Sequence, residues 1–326
     1  MKRRKFITLL GGSAAWTLAD TALSQPGVKT RRVGLLTPSQ AEVWRGWLVQ
    51  ALESLGYRQG QNLALEVRSA EGRLERLSPL AEELIRARVE VIVSVNTPGT
   101  KAAIATGTKI PIVMAVVGDP VGTGFVPNLN RPGGTVTGVS NAAGEIAAKR
   151  LELLKTAVPA ARRIAVFTHP DDPVGAVQVR QVEAAASQLG VELKVFPVIE
   201  TPEDLERAVA AAVAWRADAM FRTLAQPGWE VSKLQAELML KHRIPAMLGN
   251  RLDVQNGGLM SYFADLSEHW MHVADYVDRI LKSAVPGDLP VMMPTKFKLV
   301  LNLKTARALG LTLPPSILAL ADEVIE

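Results

Sequence analysis

The sequence predicts an α/β protein built as two Rossmann-like lobes, each on a parallel sheet, joined by a hinge. Three observations carry that reading. Apolar β-branched runs alternate with stretches of helical period, as parallel sheets covered by helices require. One half-molecule plan recurs after about 130 residues, far longer than a solenoid repeat and the length of a duplicated lobe. Short polar loops follow the apolar runs, placed where open α/β sheets bind ligands.

The chain opens with Lys2, Arg3, Arg4 and Lys5, then the apolar run FITLLGGSAAWTLA, then small residues before ALSQ. That order is the signature of an export signal over 1–24, and RRKFI has the form of a twin-arginine signal, with an ordinary Sec signal as the alternative. Cleavage near Ser24 is expected. The run is too short to span a bilayer, and no later segment is apolar for long enough.

Strands are expected at RVGLL, LALEV, VEVIVSV, IPIVMAVV, RIAVF, VELKVFPV, DAMF and IPAML. Helices lie between them. Ser78 before Pro79, and Thr201 before Pro202 with Asp204 beyond, read as N-caps with proline at the first helical position. Asp265 with Glu268 reads as a capping pair. Gly56 and Gly190 are placed to end helices. Lys296, Lys298 and Lys304 alternate with apolar residues as in a half-exposed strand running into a short helix.

The repeat shows in three pairs: RRVGLLTP (31–38) with RRIAVFTHP (162–170), LGY (55–57) with LGV (189–191), and KIPIVM (109–114) with RIPAML (243–248). The equivalent strand-end loops are then TPSQ with THPDD, NTPG with RTLAQPGW, and VGDP with GNRL. Two copies facing across a hinge would line one cleft with these six loops.

Composition narrows the function. Of 326 residues, 48% are hydrophobic and 21% charged, enough for a sizeable core and against a disordered chain. The net charge is +5, but residues 1–24 hold most of it, and no basic stripe with interleaved aromatics argues for nucleic acid. There is no cysteine, which excludes disulfides, thiolate metal sites, a cysteine nucleophile and a lipid-bearing cysteine. A monomer free in a bacterial periplasm is expected. GDPVGTGF lacks the Lys-Ser/Thr ending of a phosphate loop. Neither a Gly-x-Gly-x-x-Gly turn after the first strand nor a nucleophile elbow is present, so an α/β enzyme finds no catalytic residues, metal or cofactor site here.

Several segments together resemble one family: LGYRQGQNLALEVRSAEGRLERL, GDPVGTGFVPNLNRPGGTVTGVSN, KRLELLKTAVP, GGLMSY and PTKFKLVLNLKTARALGLTLPPSILALADEVIE. In combination they are similar to the periplasmic solute-binding proteins of ABC importers, relatives of a tryptophan-binding component. The resemblance implies a type I periplasmic-binding fold and capture of a small polar or amino-acid-like ligand for an inner-membrane permease, without chemistry. A periplasmic sensor serving a signalling receptor would share the fold. The lobes are expected at 31–138 plus about 264–292, and about 139–263 plus 293–326.

The expected ligand contacts lie on the strand-end loops. Asn96 and Thr97 follow a buried strand, where they can hold an acceptor-rich group or simply cap a helix. Asp119 either pairs with a cation or shapes a turn. THPDDP stands where relatives show Asn-Pro, so His169, Asp171 and Asp172 are expected to tune ligand choice rather than bind metal. Trp229, in PGW, is a stacking surface, and Tyr262 is expected to face the cleft where the chain crosses between lobes. Ser39, Asn141 and Asn250 complete the set. Trp47 is expected in the core with Trp44 nearer the cleft, and His269 and His272 on a solvated helix face.

Overall fold

The structure is a computed structural model and describes residues 29–199, 201–224, 231–265 and 269–326. In the first half the chain runs β1 (Arg31–Thr37), α1 (Ala41–Ser54), β2 (Leu63–Ser69), α2 (Leu77–Arg86), β3 (Val91–Val95), α3 (Asn96–Ala105), β4 (Ile112–Val117) and β5 (Val136–Ser140). These five strands form one parallel sheet in the order β2-β1-β3-β4-β5.

The second half repeats the plan. It runs α4 (Ala147–Ala157), β6 (Arg163–Thr168), α5 (Pro173–Leu189), β7 (Glu192–Pro197), α6 (Pro202–Ala214), β8 (Ala219–Arg222), α7 (Ser232–Lys241), β9 (Ala246–Leu248), α8 (Arg251–Gln255) and β10 (Met260–Ala264). After α9 (His269–Leu281) come β11 (Phe297–Asn302), α10 (Leu303–Ala308), α11 (Pro315–Leu318) and β12 (Glu323–Ile325). The second sheet is ordered β12-β11-β10-β9-β8-β6-β7, with only the β10–β11 pair antiparallel. β2-β1-β3-β4 and β7-β6-β8-β9 are the same arrangement, the physical form of the repeat read in the sequence.

The chain passes between the sheets three times. It leaves the first sheet after Ser140, since α4 packs in the core of the second. It returns after Ala264, because α9 buries Trp270, Val273, Val277 and Leu281 against Val33, Val93 and Leu48 of the first. Met292 still bridges to Val139 of β5, and β11 then rejoins the second sheet. Three crossovers thus connect the two sheets.

Strands such as Val91–Val95 and Ile112–Val117 are buried along their whole length, as parallel strands covered on both faces must be. Thr201 accepts from the Asp204 N–H at 3.2 Å, and Gly190 ends α5 in the left-handed region, both as the sequence predicts. Other expectations change. Ser78 and Pro79 lie inside the first turn of α2, because a 3₁₀ turn at Leu74–Arg76 runs straight into the helix and its apolar period starts before Ser78. NTPG, expected as a loop, is the first turn of α3. Trp44, expected nearer the cleft, is buried in the core and stacks on Trp270, whereas Trp47, expected in the core, is 40% exposed. His269 is buried rather than solvated, its Nε2 lying 2.9 Å from the Ser140 carbonyl and tying the second crossover to the first.

Candidate functional site

The carboxyl ends of the first sheet share a backbone feature. After or within the end of every strand stands a non-glycine residue in the left-handed region: Gln40 after β1, Glu71 after β2, Asn96 after β3, Val116 in β4 and Ala142 after β5. Each such residue costs about 1–3 kcal/mol, and strain of this kind gathers at functional edges. Val116 is the most telling, because a β-branched side chain has little business there. It sits where the β4–β5 register slips, and that bulge redirects Val117, Gly118 and Asp119. Among the described residues, the strand ends of the second sheet carry none.

Across from this edge lie the loops after β6 and β7 with the start of α5, and the two walls touch. A methyl group on Gly118 would overlap Val174 of α5, and one on Gly144, in the first crossover, would press on Asp119 and Val177. Beside this contact the walls part into a groove of about 360 Å³. Leu74, Glu75, Pro98 and Lys101 line it from the first sheet's side, and His169, Asp171 and Ile199 from the second's.

His169 is buried, and its Nδ1 accepts the Asp171 N–H at 3.2 Å. That bond leaves Nε2 as the protonated nitrogen of the neutral ring. Burial, with the Arg222 charge in a lesser part, holds its pKa below the ordinary histidine value. The groove therefore offers a fixed N–H donor in His169, a cation in Lys101, and carboxylates in Glu75 and Asp171.

The remaining predicted contacts divide. Asn96 is 5% exposed, and among the described residues its side chain makes no hydrogen bond. Thr97 does not cap α3; its Oγ1 accepts the Gly118 N–H at 3.2 Å and joins the ends of β3 and β4. Asp119 shapes a turn, accepting from the Gly122 N–H at 2.6 Å. Asn141 accepts from the Ala143 N–H within the first crossover. Asn250 caps α8 in a reciprocal capping box with Asp253. Ser39 is buried at the end of β1 and borders a separate open pocket of about 470 Å³ with Gln40, Glu42 and Glu71. Tyr262 stacks on Phe297, ring centroids 5.7 Å apart, and packs on the second sheet's core; burial raises its pKa. Trp229 lies outside the described residues. No group of three potential metal-binding side chains occurs among the described residues.

Sequence reasoning singled out none of four polar side chains at this end of the second sheet. Thr168 and Thr223 bond each other at 3.0 Å across the ends of β6 and β8. Gln178 of α5 accepts the Leu224 N–H at 2.8 Å, and Arg222 of β8 is buried against Gln235. Arg150 is fully buried in α4. It was legible as a charge on the stripe Ala147, Leu151, Leu154, where helical period demands an apolar side chain.

Residues 35–325 match the model of a family described as ABC transporter substrate binding protein. A tyrosine-binding protein of Clostridioides difficile (strain R20291) is 25% identical over 274 residues, 84% of this chain and 78% of that protein. A conserved domain protein from Vibrio cholerae superposes with a TM-score of 0.83 at 26% identity, covering 91% of this chain and 100% of its own. An ABC domain from Streptococcus pneumoniae in complex with L-Trp gives the same TM-score and coverage at 25% identity.

Proposed function

Because the chain belongs to the family of ABC transporter substrate-binding proteins, we propose that it is the extracytoplasmic solute-binding subunit of an importer, capturing an amino-acid-like ligand by closure of its lobes. The first sheet with α9, and the second sheet with α4, act as the two rigid bodies, and the crossovers after Ser140, after Ala264 and before β11 flex between them. The single observation carrying this reading is the groove whose lining is divided between the two sheets, so that its walls come together only when the lobes do.

The chemistry of that groove suits a zwitterion. Lys101 and the His169 Nε2–H face a carboxylate, Asp171 and Glu75 an ammonium, and Leu74, Pro98 and Ile199 supply apolar surface. Micromolar affinity needs about −8 kcal/mol, within reach of a few charge-assisted hydrogen bonds and one apolar contact. Two proteins similar to this one at 25% identity are a tyrosine-binding protein and a domain solved with L-Trp, which supports an amino acid and leaves the side chain open. No catalytic group is required. The protein works as a monomer delivered by its signal segment to the periplasm, with an inner-membrane permease as its partner.

A melting screen of the purified protein against amino acids and aromatic acids tests the ligand class. A true ligand at one hundred times its dissociation constant adds about 2.7 kcal/mol of stability. Ligand-dependent stimulation of the ATPase of a reconstituted importer tests the transport role, and its absence with the ligand bound would favour sensing. Turnover of the ligand would replace the proposal.

A further inference from the structure

The guanidinium of Arg150 is fully buried, yet only one of its nitrogens that the solvent cannot reach has a partner. Nη2 donates to the Leu248 carbonyl at 2.7 Å, while Nε and Nη1 are sealed from solvent without a hydrogen bond. Its face lies 4.7 Å over the ring of Phe221. Among the described residues no carboxylate lies within ion-pair distance. The acid that most influences it, Asp253, is engaged elsewhere: one oxygen accepts from Ser232 Oγ at 2.5 Å, the other from the N–H groups of Gly249 and Asn250. The other charge acting on it, Arg222, is of its own sign. Burial pulls the guanidinium pKa down to about 9, which leaves it charged at neutral pH.

A buried cation without a counter-charge destabilises a fold, and an apolar residue of similar size in its place is often stabilising. Its location says what it is for. Leu248 ends β9, immediately before the loop that carries Asn250, and Phe221 precedes Arg222 and Thr223 at the end of β8. The charge therefore lies under the carboxyl ends of β8 and β9, the edge at which parallel sheets bind ligands, in a low-dielectric setting where screening is weak.

We propose that Arg150 is a specificity-determining residue that biases the cleft toward ligands bearing a carboxylate, whose negative charge supplies the counter-ion the fold withholds. This rests on the solute-binding reading above. Arg150 acts through the field beneath the wall and is a positioning charge rather than a contact.

The test compares wild type with Arg150→Met, which keeps the volume and removes the charge, and Arg150→Lys, which keeps the charge. Each is titrated with L-tyrosine, L-tryptophan and benzoate and with the corresponding amides. Wild type and Arg150→Lys are expected to prefer acid over amide by about 10-fold or more, and Arg150→Met to lose that ratio. Ligand-free Arg150→Met is expected to melt several degrees higher, about 3 °C or more. An unchanged acid-to-amide ratio in Arg150→Met, or a lower melting temperature, overturns the inference, because the guanidinium is then a satisfied structural group. Stabilisation by benzoate that depends on Arg150, with no amino acid bound, rejects the amino-acid reading and keeps this one. Amino-acid binding with equal ratios in all three proteins does the reverse, and a wild type stabilised by none of the carboxylates overturns the inference.

Discussion

Gly118 and Val174 meet between the two lobes: a methyl group built on Gly118 would fall 2.1 Å from Cγ2 of Val174 and 2.9 Å from its Cβ. Gly118 follows the bulged end of β4, and Val174 begins α5, so the pair belongs to different sheets. Its backbone is not in the left-handed region, so the glycine serves close approach rather than an unusual turn. Gly118→Ala should act as a wedge. Overpacking costs about 1–3 kcal/mol, and the open form escapes it, so affinity should fall about 5- to 100-fold while the ligand-free melting temperature holds. Titration calorimetry reads the affinity, and solution scattering should show a larger radius of gyration. Gly118→Ala with Val174→Ala should recover part of the loss, because Cβ of residue 174 still crowds the site. Wild-type affinity in Gly118→Ala would mean that this contact does not limit closure.

Two buried histidines make stability depend on pH. Burial is the largest cause lowering the pKa of His269, with His272 adding to it, and burial likewise lowers that of His169. The unfolded chain takes up these protons near the ordinary value of about 6.5, whereas the folded chain resists until lower pH. Stability is therefore complete above the unfolded value and falls as the pH drops toward the folded ones. The slope is about 1.4 kcal/mol per pH unit for each histidine in that window. Melting curves from pH 7.5 to 5 should show the decline, and His269→Asn, whose amide can still donate to the Ser140 carbonyl, should flatten it. A flat wild-type profile would rule out both histidines as buried neutral groups.

The duplicated plan was legible because periodicity, helix-ending glycines and the repeated Ile-Pro strand starts depend on local chemistry alone. What was not legible depends on what arrives from a distance. Trp44 is buried by stacking on Trp270, which returns on α9 from the second sheet, while Trp47 meets the same ring edge-on and stays 40% exposed. His269 reads as a surface residue until the Ser140 carbonyl of another crossover is placed beside it. At the candidate site, Thr97 and Asn250 read as cleft loops, yet their side chains are occupied by neighbouring backbone. Arg150 broke an apolar stripe in plain view, but only the bonds that hold both oxygens of Asp253 elsewhere turn that break into a missing counter-ion.

Thr97 separates structure from binding. Its Oγ1 is the acceptor for the Gly118 N–H, so Thr97→Val removes the partner of a buried donor with almost no change in shape. Leaving that donor unmet costs about 1–3 kcal/mol. Urea denaturation should show that loss in Thr97→Val, and Thr97→Ser should regain most of it. If valine is tolerated without loss, the end of β4 is held by other contacts.

Asn96 is the predicted contact that the structure leaves most available, and its backbone allows a clean test. At φ 59° an alanine is strained by about 1–2 kcal/mol, whereas glycine occupies the region freely. Asparagine tolerates it better than most residues. Asn96→Gly should thus match or exceed wild-type stability, while Asn96→Ala should melt lower. Both lose the amide, so if that group meets the ligand, both should lose affinity alike, by about 10-fold for one good hydrogen bond to a charged group. Two variants that differ in stability and agree in affinity locate the effect in the side chain. Full binding by Asn96→Gly would show instead that the left-handed turn exists to aim α3, and that the first wall holds its ligand through other groups.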